Sequence, residues 1–312
     1  MRRSMLFLPG NTPNIIVNGD ALGADNVILD LEDAVAPDQK DAARILVRNA
    51  VKTLGFESVE LTVRINSLDT PYWRADLDEI VPLRPDLIMP TKVGGAEDVL
   101  TLDAYMAEVE KKNGLPAGTV KLIPLIETAR GLENAYAIAG ASPRVAAIFL
   151  GAEDLTADLR CPRTKEGAEI FYARSRMVSA ARAAGIDVYD TPFTDVNDDE
   201  GIVRDARLAR SLGFSGKAVI SPRHVRAVNE AFSPTQKEVD YAREVLAAIR
   251  QAKEQGRGAI SLYGKMIDKP IVARAEQTIA MAEAIAKGGQ NPVGTAEPLR
   301  RPAEVHRQFR TG

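Results

Sequence analysis

Apolar residues along this chain follow two alternating patterns. Short runs rich in β-branched and aliphatic side chains read as strands at Met5–Leu8, Asn26–Leu31, Glu60–Ile65, Leu87–Met89, Lys121–Ile126, Val145–Leu150, Asp187–Tyr189 and Lys217–Ile220. Longer segments with apolar residues at helical spacing lie between them, for example Asp38–Leu54, Ala96–Lys112, Lys165–Ala184 and Asp198–Leu212. Gly55, Gly114, Gly185 and Gly213 stand where helices would end. Strand then helix, repeated eight times, predicts an α/β fold of the (β/α)8 TIM-barrel type. An open doubly wound sheet would use the same alternation, but the count of eight and the absence of a G-x-G-x-x-G loop after the first strand favour the barrel.

After the eighth strand the pattern changes. Residues 1–232 are expected to form the catalytic barrel and residues 233–287 a C-terminal helical lid extension. That extension comprises a charged amphipathic helix over Thr235–Glu254 closed by Gly256-Arg257-Gly258, an apolar loop over Ala259–Ile267, and a second helix over Ile271–Lys287. Residues 288–312, rich in Gly, Pro, Arg and Gln without helical period, are expected to be an extended or flexible tail.

Composition narrows the functional classes. The 40 basic and 43 acidic residues among 312 leave a net charge of −3 with both signs interspersed, so there is no basic stripe for nucleic acid. One cysteine, Cys161, and two histidines, His224 and His306, supply neither an internal disulfide nor a structural zinc set, which predicts a reducing, cytoplasmic setting. Arg2 and Arg3 precede an apolar run at Met5–Leu8, yet Pro9-Gly10-Asn11 ends it far short of a signal-peptide core. The longest apolar stretch, from Val145, is too short to span a bilayer.

In such a barrel, chemistry belongs at the carboxyl ends of the strands. The polar residues there are Asp30, Glu32 and Asp33 after the second strand, Arg64 at the end of the third, Glu127 after the fifth, and Glu153 and Asp154 after the sixth. Glu127 and Asp154 occupy equivalent points on adjacent strands, and two oxygen ligands in an open setting suit magnesium. A helix cap is the plainer reading of Asp154 alone. Arg64 ends an apolar strand, where an inward charge needs a partner: a substrate carboxylate or enolate, a salt bridge to Asp30 or Glu32, or both at once in a shared network. Asp30, Glu32 and Asp33 would then orient Arg64 and the metal's water. A Schiff-base aldolase would need a desolvated lysine, for which Lys92 and Lys217 are the candidates. His224 reads as a surface helix residue, a poor supply of a histidine base.

These residues also carry a resemblance. The stretches Arg2–Asn11, Asp30–Val35, Val63–Asn66, Leu150–Leu155, Gly213–Lys217, Pro234–Asp240 and Gly264–Asp268 resemble, in order and over about residues 1–287, the HpcH/HpaI aldolase/citrate lyase superfamily. That superfamily includes the citrate lyase β subunit, a citryl-thioester lyase, and the stand-alone malyl-CoA and citramalyl-CoA lyases. The resemblance implies a (β/α)8 barrel with magnesium on Glu127 and Asp154 and substrate on Arg64 and the metal-bearing Glu127. It also implies a lid aspartate, here Asp268, that completes a neighbouring subunit's site, hence a homotrimer or hexamer. The plainer reading of Asp268, which precedes Lys269-Pro270, is an N-cap.

The implied reaction is magnesium-dependent carbon–carbon cleavage of a citryl-, citramalyl- or malyl-type 3-hydroxyacyl thioester into an acyl thioester and a 2-oxo acid. Arg64 would stabilise the thioester enolate and Asp268 would return its proton, with Asp30 and Glu32 in support. The carrier is CoA or the prosthetic arm of an acyl-carrier subunit. For CoA, the resemblance points to Ser221-Pro222 near the adenine and to Arg2, Arg3 and Lys40 for phosphate, although ordinary surface charge explains those three as well and Ser221 stands where many relatives carry histidine. Alternatives on the same scaffold are a malyl-CoA-type thioesterase, an aldolase on free 2-oxo-4-hydroxy acids, and a β subunit active only with citrate lyase α and carrier subunits.

Overall fold

The computed structural model describes residues 1–56, 58–254 and 260–287. Eight parallel strands build its main sheet: β1 Ser4–Pro9, β2 Asn26–Asp30, β3 Glu60–Ile65, β4 Leu87–Pro90, β5 in two segments, Lys121–Leu122 and Leu125–Ile126, β6 Ala147–Leu150, β7 Asp187–Asp190 and β8 Gly216–Val219. Each pairs in parallel with its neighbour in sequence, and β1 also pairs with β8. The two segments of β5 close the ring. The first pairs with β4 and the second with β6, and Leu122 is registered with both Ile88 and Val145. Pro124, which has no N–H to donate, stands between the segments where the ladder changes partner. The (β/α)8 architecture expected from the alternation is therefore the one observed.

Side-chain parity sorts the core into two layers. Met5, Ile28, Met89, Leu125, Phe149, Tyr189 and Ala218 fill the lumen. Their strand neighbours, such as Leu6, Val27, Val63, Ile88, Ile148 and Val219, face outward to the surrounding helices. Helices span Lys40–Leu54, Trp73–Ile80, Ala96–Lys112, Phe171–Ala184, Asp199–Leu212 and Pro222–Phe232, with two single-turn pieces, Ala129–Glu133 and Ala135–Ala139, after β5. Gly55, Gly185 and Gly213 end their helices with positive φ, a region open to glycine without steric cost. The helix expected from Lys165 begins only at Phe171, because Gly167 at φ 68° leads into a separate 3-10 turn over Ala168–Ile170.

Arg2 and Arg3 precede β1 and so belong to the amino-terminal end of the barrel, opposite its catalytic face. Arg2 is buried, donates to both carboxylate oxygens of Glu60 and to Tyr189 Oη at 3.2 Å, and closes the floor of the lumen with Asn26 and Thr62. Arg3 forms a two-pronged pair with Asp25 at 2.8 Å and bonds Ser233 Oγ. The expected role of these two arginines in binding a CoA phosphate is thus corrected: both serve the opposite end of the barrel.

By chain contacts Arg2–Pro234 forms one compact unit and the described residues from Thr235 onward belong to a second. The second contains helix Gln236–Glu254, a hairpin of β9 Ile260–Leu262 and β10 Lys265–Ile267, and helix Lys269–Ala286. The hairpin replaces the expected loop. Tyr263 and Gly264 form its two-residue turn with φ of 51° and 75°, as the twist of a tight hairpin requires. Ala242, Val245, Ile267 and Ala275 make its apolar core. The Gly256–Gly258 helix end and the tail 288–312 lie outside the described residues. Among the described residues no helix is long and apolar enough to cross a membrane.

Candidate active site

A cavity of about 320 Å³ opens at the carboxyl ends of the strands, lined by Asp30, Asp33, Arg64, Glu127, Glu153 and Asp154 together with Phe7, Leu125, Phe149, Thr191, Pro192 and Ile220. Register explains the gathering. Asp30 is paired with Arg64 across β2 and β3, so one face of two adjacent strands presents both side chains at the same height. Arg64 donates from Nε to Asp30 Oδ1 at 2.7 Å and from Nη2 to Asp30 Oδ2 at 2.5 Å, and its Nη1 lies 3.3 Å from Glu32. Its guanidinium also sits 5.0 Å from the Phe7 ring centroid. Burial works against the Arg64 charge, but Asp30 and Glu32 outweigh it and its pKa is raised. The salt bridge and the cavity-facing position coexist, the shared network that the sequence allowed.

Glu127 is 3% exposed, and its carboxyl is pushed up to about 8, first by burial and then by Asp154 and Glu32; Arg64 and the Lys92 N–H oppose the rise. Lys92 N donates to Glu127 Oε1 at 2.7 Å from a backbone held at φ 54°, left-handed for a residue with a side chain. Lys92 Nζ donates to Glu32 Oε1 at 2.9 Å and lies 4.0 Å from Asp154 Oδ2. Desolvation opposes the Lys92 charge, yet the bond to Glu32 keeps its pKa raised, which removes it as a neutral amine nucleophile. Lys217 is excluded by parity. It points out of the lumen and is fully buried, with Asp190 Oδ2, Asp205 Oδ2 and the Thr191 carbonyl each 2.6 Å from Nζ.

Asp154 lies in the first turn of helix Ala152–Asp158, whose N-cap is Gly151, so Asp154 is not that helix's cap. Gly151 allows the close approach of Glu127: a Cβ there would stand 2.8 Å from Glu127 Cβ and Oε2. Two carboxylates facing one cavity, one of them with its pKa raised by burial and by the carboxylates beside it, fit a hard divalent cation that keeps several waters. Among the described residues no group of three or more His, Cys, Asp or Glu side chains forms a closed metal cage.

Other sequence-selected residues are placed differently. Lys40 is buried, and its ammonium donates to the Leu31 and Glu32 carbonyls at 2.9 and 2.7 Å, securing the loop after β2 instead of reaching outward to a phosphate. Burial lowers its pKa. His224 is 1% exposed and tilted against Phe193, not on the surface, and burial lowers its pKa. Ser221, directly after the cavity-lining Ile220, occupies the N-cap position of helix Pro222–Phe232 without a side-chain capping bond, and Pro222 follows it exposed. Asp268 Oδ1 accepts from Ile271 N at 3.2 Å, so it is an N-cap within the second unit. Lys92 as a carboxylate organiser and Gly151 as the space for Glu127 were missed. The left-handed backbone of one and the crowding at the other appear only in three dimensions.

Comparison with known proteins shows the family and the fold. Residues 3–222 match the family model described as HpcH/HpaI aldolase/citrate lyase. The citrate lyase subunit beta of Leuconostoc mesenteroides subsp. cremoris is 44% identical over 284 residues, 91% of this chain and 94% of that protein. An L-malyl-CoA/beta-methylmalyl-CoA lyase of Cereibacter sphaeroides is 39% identical over 91% of this chain and 95% of its own length. The crystal structure of CitE from Mycobacterium tuberculosis in complex with magnesium, acetoacetate and coenzyme A superposes with a TM-score of 0.74 at 32% identity, covering 90% of this chain and 98% of that one.

Proposed function

The chain belongs to the HpcH/HpaI aldolase/citrate lyase family, and on that premise we propose that it is a magnesium-dependent carbon–carbon lyase. Its substrate is a citryl-, citramalyl- or malyl-type 3-hydroxyacyl thioester, cleaved to an acyl thioester and a 2-oxo acid. The observation that carries this reading is the pairing of buried Glu127 with Asp154 across a cavity that Arg64 also enters.

Glu127 and Asp154 would hold the cation, which would supply Lewis acidity that favours loss of the substrate's hydroxyl proton. Arg64, its charge fixed by Asp30 and Glu32, stabilises the enolate left when the carbon–carbon bond breaks. Phe7, Leu125 and Phe149 give the acyl chain an apolar wall and keep water from that enolate. The proton that leaves the hydroxyl as the bond breaks passes to Asp268 of a neighbouring copy and from there to the enolate carbon, so the working unit is an oligomer, a homotrimer or hexamer in this reading. Ser221 and Pro222, at the rim beyond β8, receive the adenine end of CoA. The single cysteine supports a cytoplasmic setting.

A second reading has its own support. The 44% identity to a citrate lyase β subunit favours a chain that takes its acyl group on the prosthetic arm of a carrier subunit, beside an α subunit. One experiment separates the two. The purified protein is mixed with citryl-, malyl- and citramalyl-CoA, with magnesium or with EDTA, and acetyl-CoA is followed by mass spectrometry. Magnesium-dependent acetyl-CoA from one of them is the expected result. Free CoA without acetyl-CoA would mean thioester hydrolysis, and no product from any of the three would favour a carrier-bound substrate.

A further inference from the structure

Helix Ala152–Asp158 carries Asp154 but lacks a side chain to cap its amino terminus. Its cap position is Gly151, and no larger residue fits there because Glu127 occupies the space where a Cβ would go. The first helical N–H, that of Ala152, is buried and still needs an acceptor. The next strand supplies it: Thr191, fully buried just past β7, accepts from Ala152 N through its hydroxyl at 3.1 Å.

Thr191 is itself anchored. Its carbonyl accepts from Lys217 Nζ at 2.6 Å, and that ammonium belongs to a buried cluster outside the lumen. In this cluster Arg174 makes a two-pronged pair with Asp190 at 2.9 and 2.8 Å and bonds Asp205 at 2.7 Å, while Lys217 meets both aspartates at 2.6 Å. Two cations and two carboxylates balance one another where solvent does not reach, so the geometry of each is tightly set. The cluster fixes the Thr191 backbone, the Thr191 hydroxyl fixes the start of the helix, and the helix fixes Asp154.

We propose that Thr191 is a positioning residue for the metal site: its hydroxyl replaces the missing helix cap and holds Asp154 where it meets a cation shared with Glu127. This inference rests on the reading of Glu127 and Asp154 as the metal ligands. Outer groups that orient a ligand typically alter metal affinity by about 10- to 100-fold when removed.

The test is magnesium binding by isothermal titration calorimetry on the full chain, compared for wild type, Thr191→Val, Thr191→Ser and Asp154→Asn. Melting curves in EDTA establish that each variant is folded. Thr191→Val is expected to bind magnesium roughly tenfold more weakly, with Thr191→Ser close to wild type. Unchanged affinity in Thr191→Val, or equal weakening in Thr191→Ser, would overturn the proposal. Should Thr191→Val not fold, Ala152→Pro removes the donor of the same bond at a helix position that accepts proline, and the same weakening is expected. Wild-type affinity in Asp154→Asn would instead overturn the ligand assignment itself, a result distinct from failure of the Thr191 proposal.

Discussion

Glu127 departs far from the ordinary behaviour of a carboxyl group. A carboxyl with a folded pKa of about 8, against an unfolded value of 4.5, binds its proton more tightly in the folded state. Without a cation, stability from this group is therefore full below 4.5 and declines as pH rises toward 8. A bound cation takes the proton's place, so its stabilising effect grows across the same window. Accordingly, the magnesium-induced rise in melting temperature should be larger near about pH 8.5 than near about pH 6, and Glu127→Gln should abolish the difference. Equal shifts at both pH values in the wild type would remove Glu127 from the cation site. The convergence of Glu127, Asp154 and Arg64 was legible in the sequence because all three stand at strand ends, where a barrel fixes direction. The raised pKa of Glu127 was not legible, since it depends on what surrounds the carboxyl.

At the level of elements, the close approach of β5 to the turn after β6 limits what the chain tolerates. Gly151→Ala would place a methyl 2.8 Å from Glu127. It is expected to cost about 1–3 kcal/mol of stability, as overpacking does, and to weaken magnesium binding more than its small size suggests. Chemical denaturation and calorimetry of the purified variant check both effects, and normal magnesium affinity would show that Glu127 can yield space. Element identity and order could be read from local periodicity. Parity within a strand could not, because barrel strands are apolar on both faces. Lys217 sits in β8 next to lumen-facing Ala218, and only the fold shows that the lysine faces the helices. His224 was misplaced for a related reason: Phe193, brought over it from a different loop, buries a position that local pattern leaves open.

For the whole molecule, the proposed trans role of Asp268 has a direct consequence. Glu127→Gln and Asp268→Asn should each be inactive alone. Refolded together in equal amounts, they should recover roughly a quarter of wild-type turnover, since random mixing in a cyclic oligomer puts both intact residues into about one site in four. No recovery, with mixed oligomers verified by mass spectrometry, would confine Asp268 to capping its helix. Residues that precede a barrel strand belong to the face opposite the active site, so the position of Arg2 and Arg3 before β1 already argues against phosphate contacts there. The buried course of Lys40 depends instead on a loop whose path no local pattern records.

The divided fifth strand reaches beyond architecture. The first half of β5 pairs with β4 and, through Leu122, also with Val145 ahead of β6; the second half, beyond Pro124, pairs with β6, and Glu127 follows it directly. On the side of β4 that second half is met, among the described residues, only by the segment after the strand, where Val93 N donates to the Leu125 carbonyl at 3.3 Å, and Glu127 stands just above. A cation drawing Glu127 toward Asp154, the role proposed for the pair, would fasten the second half of β5 to the segment after β6, working like a clasp at the rim of the barrel. Occupancy of the site and integrity of the barrel wall would then rise and fall together, which ties the lifetime of the fold to the supply of its metal.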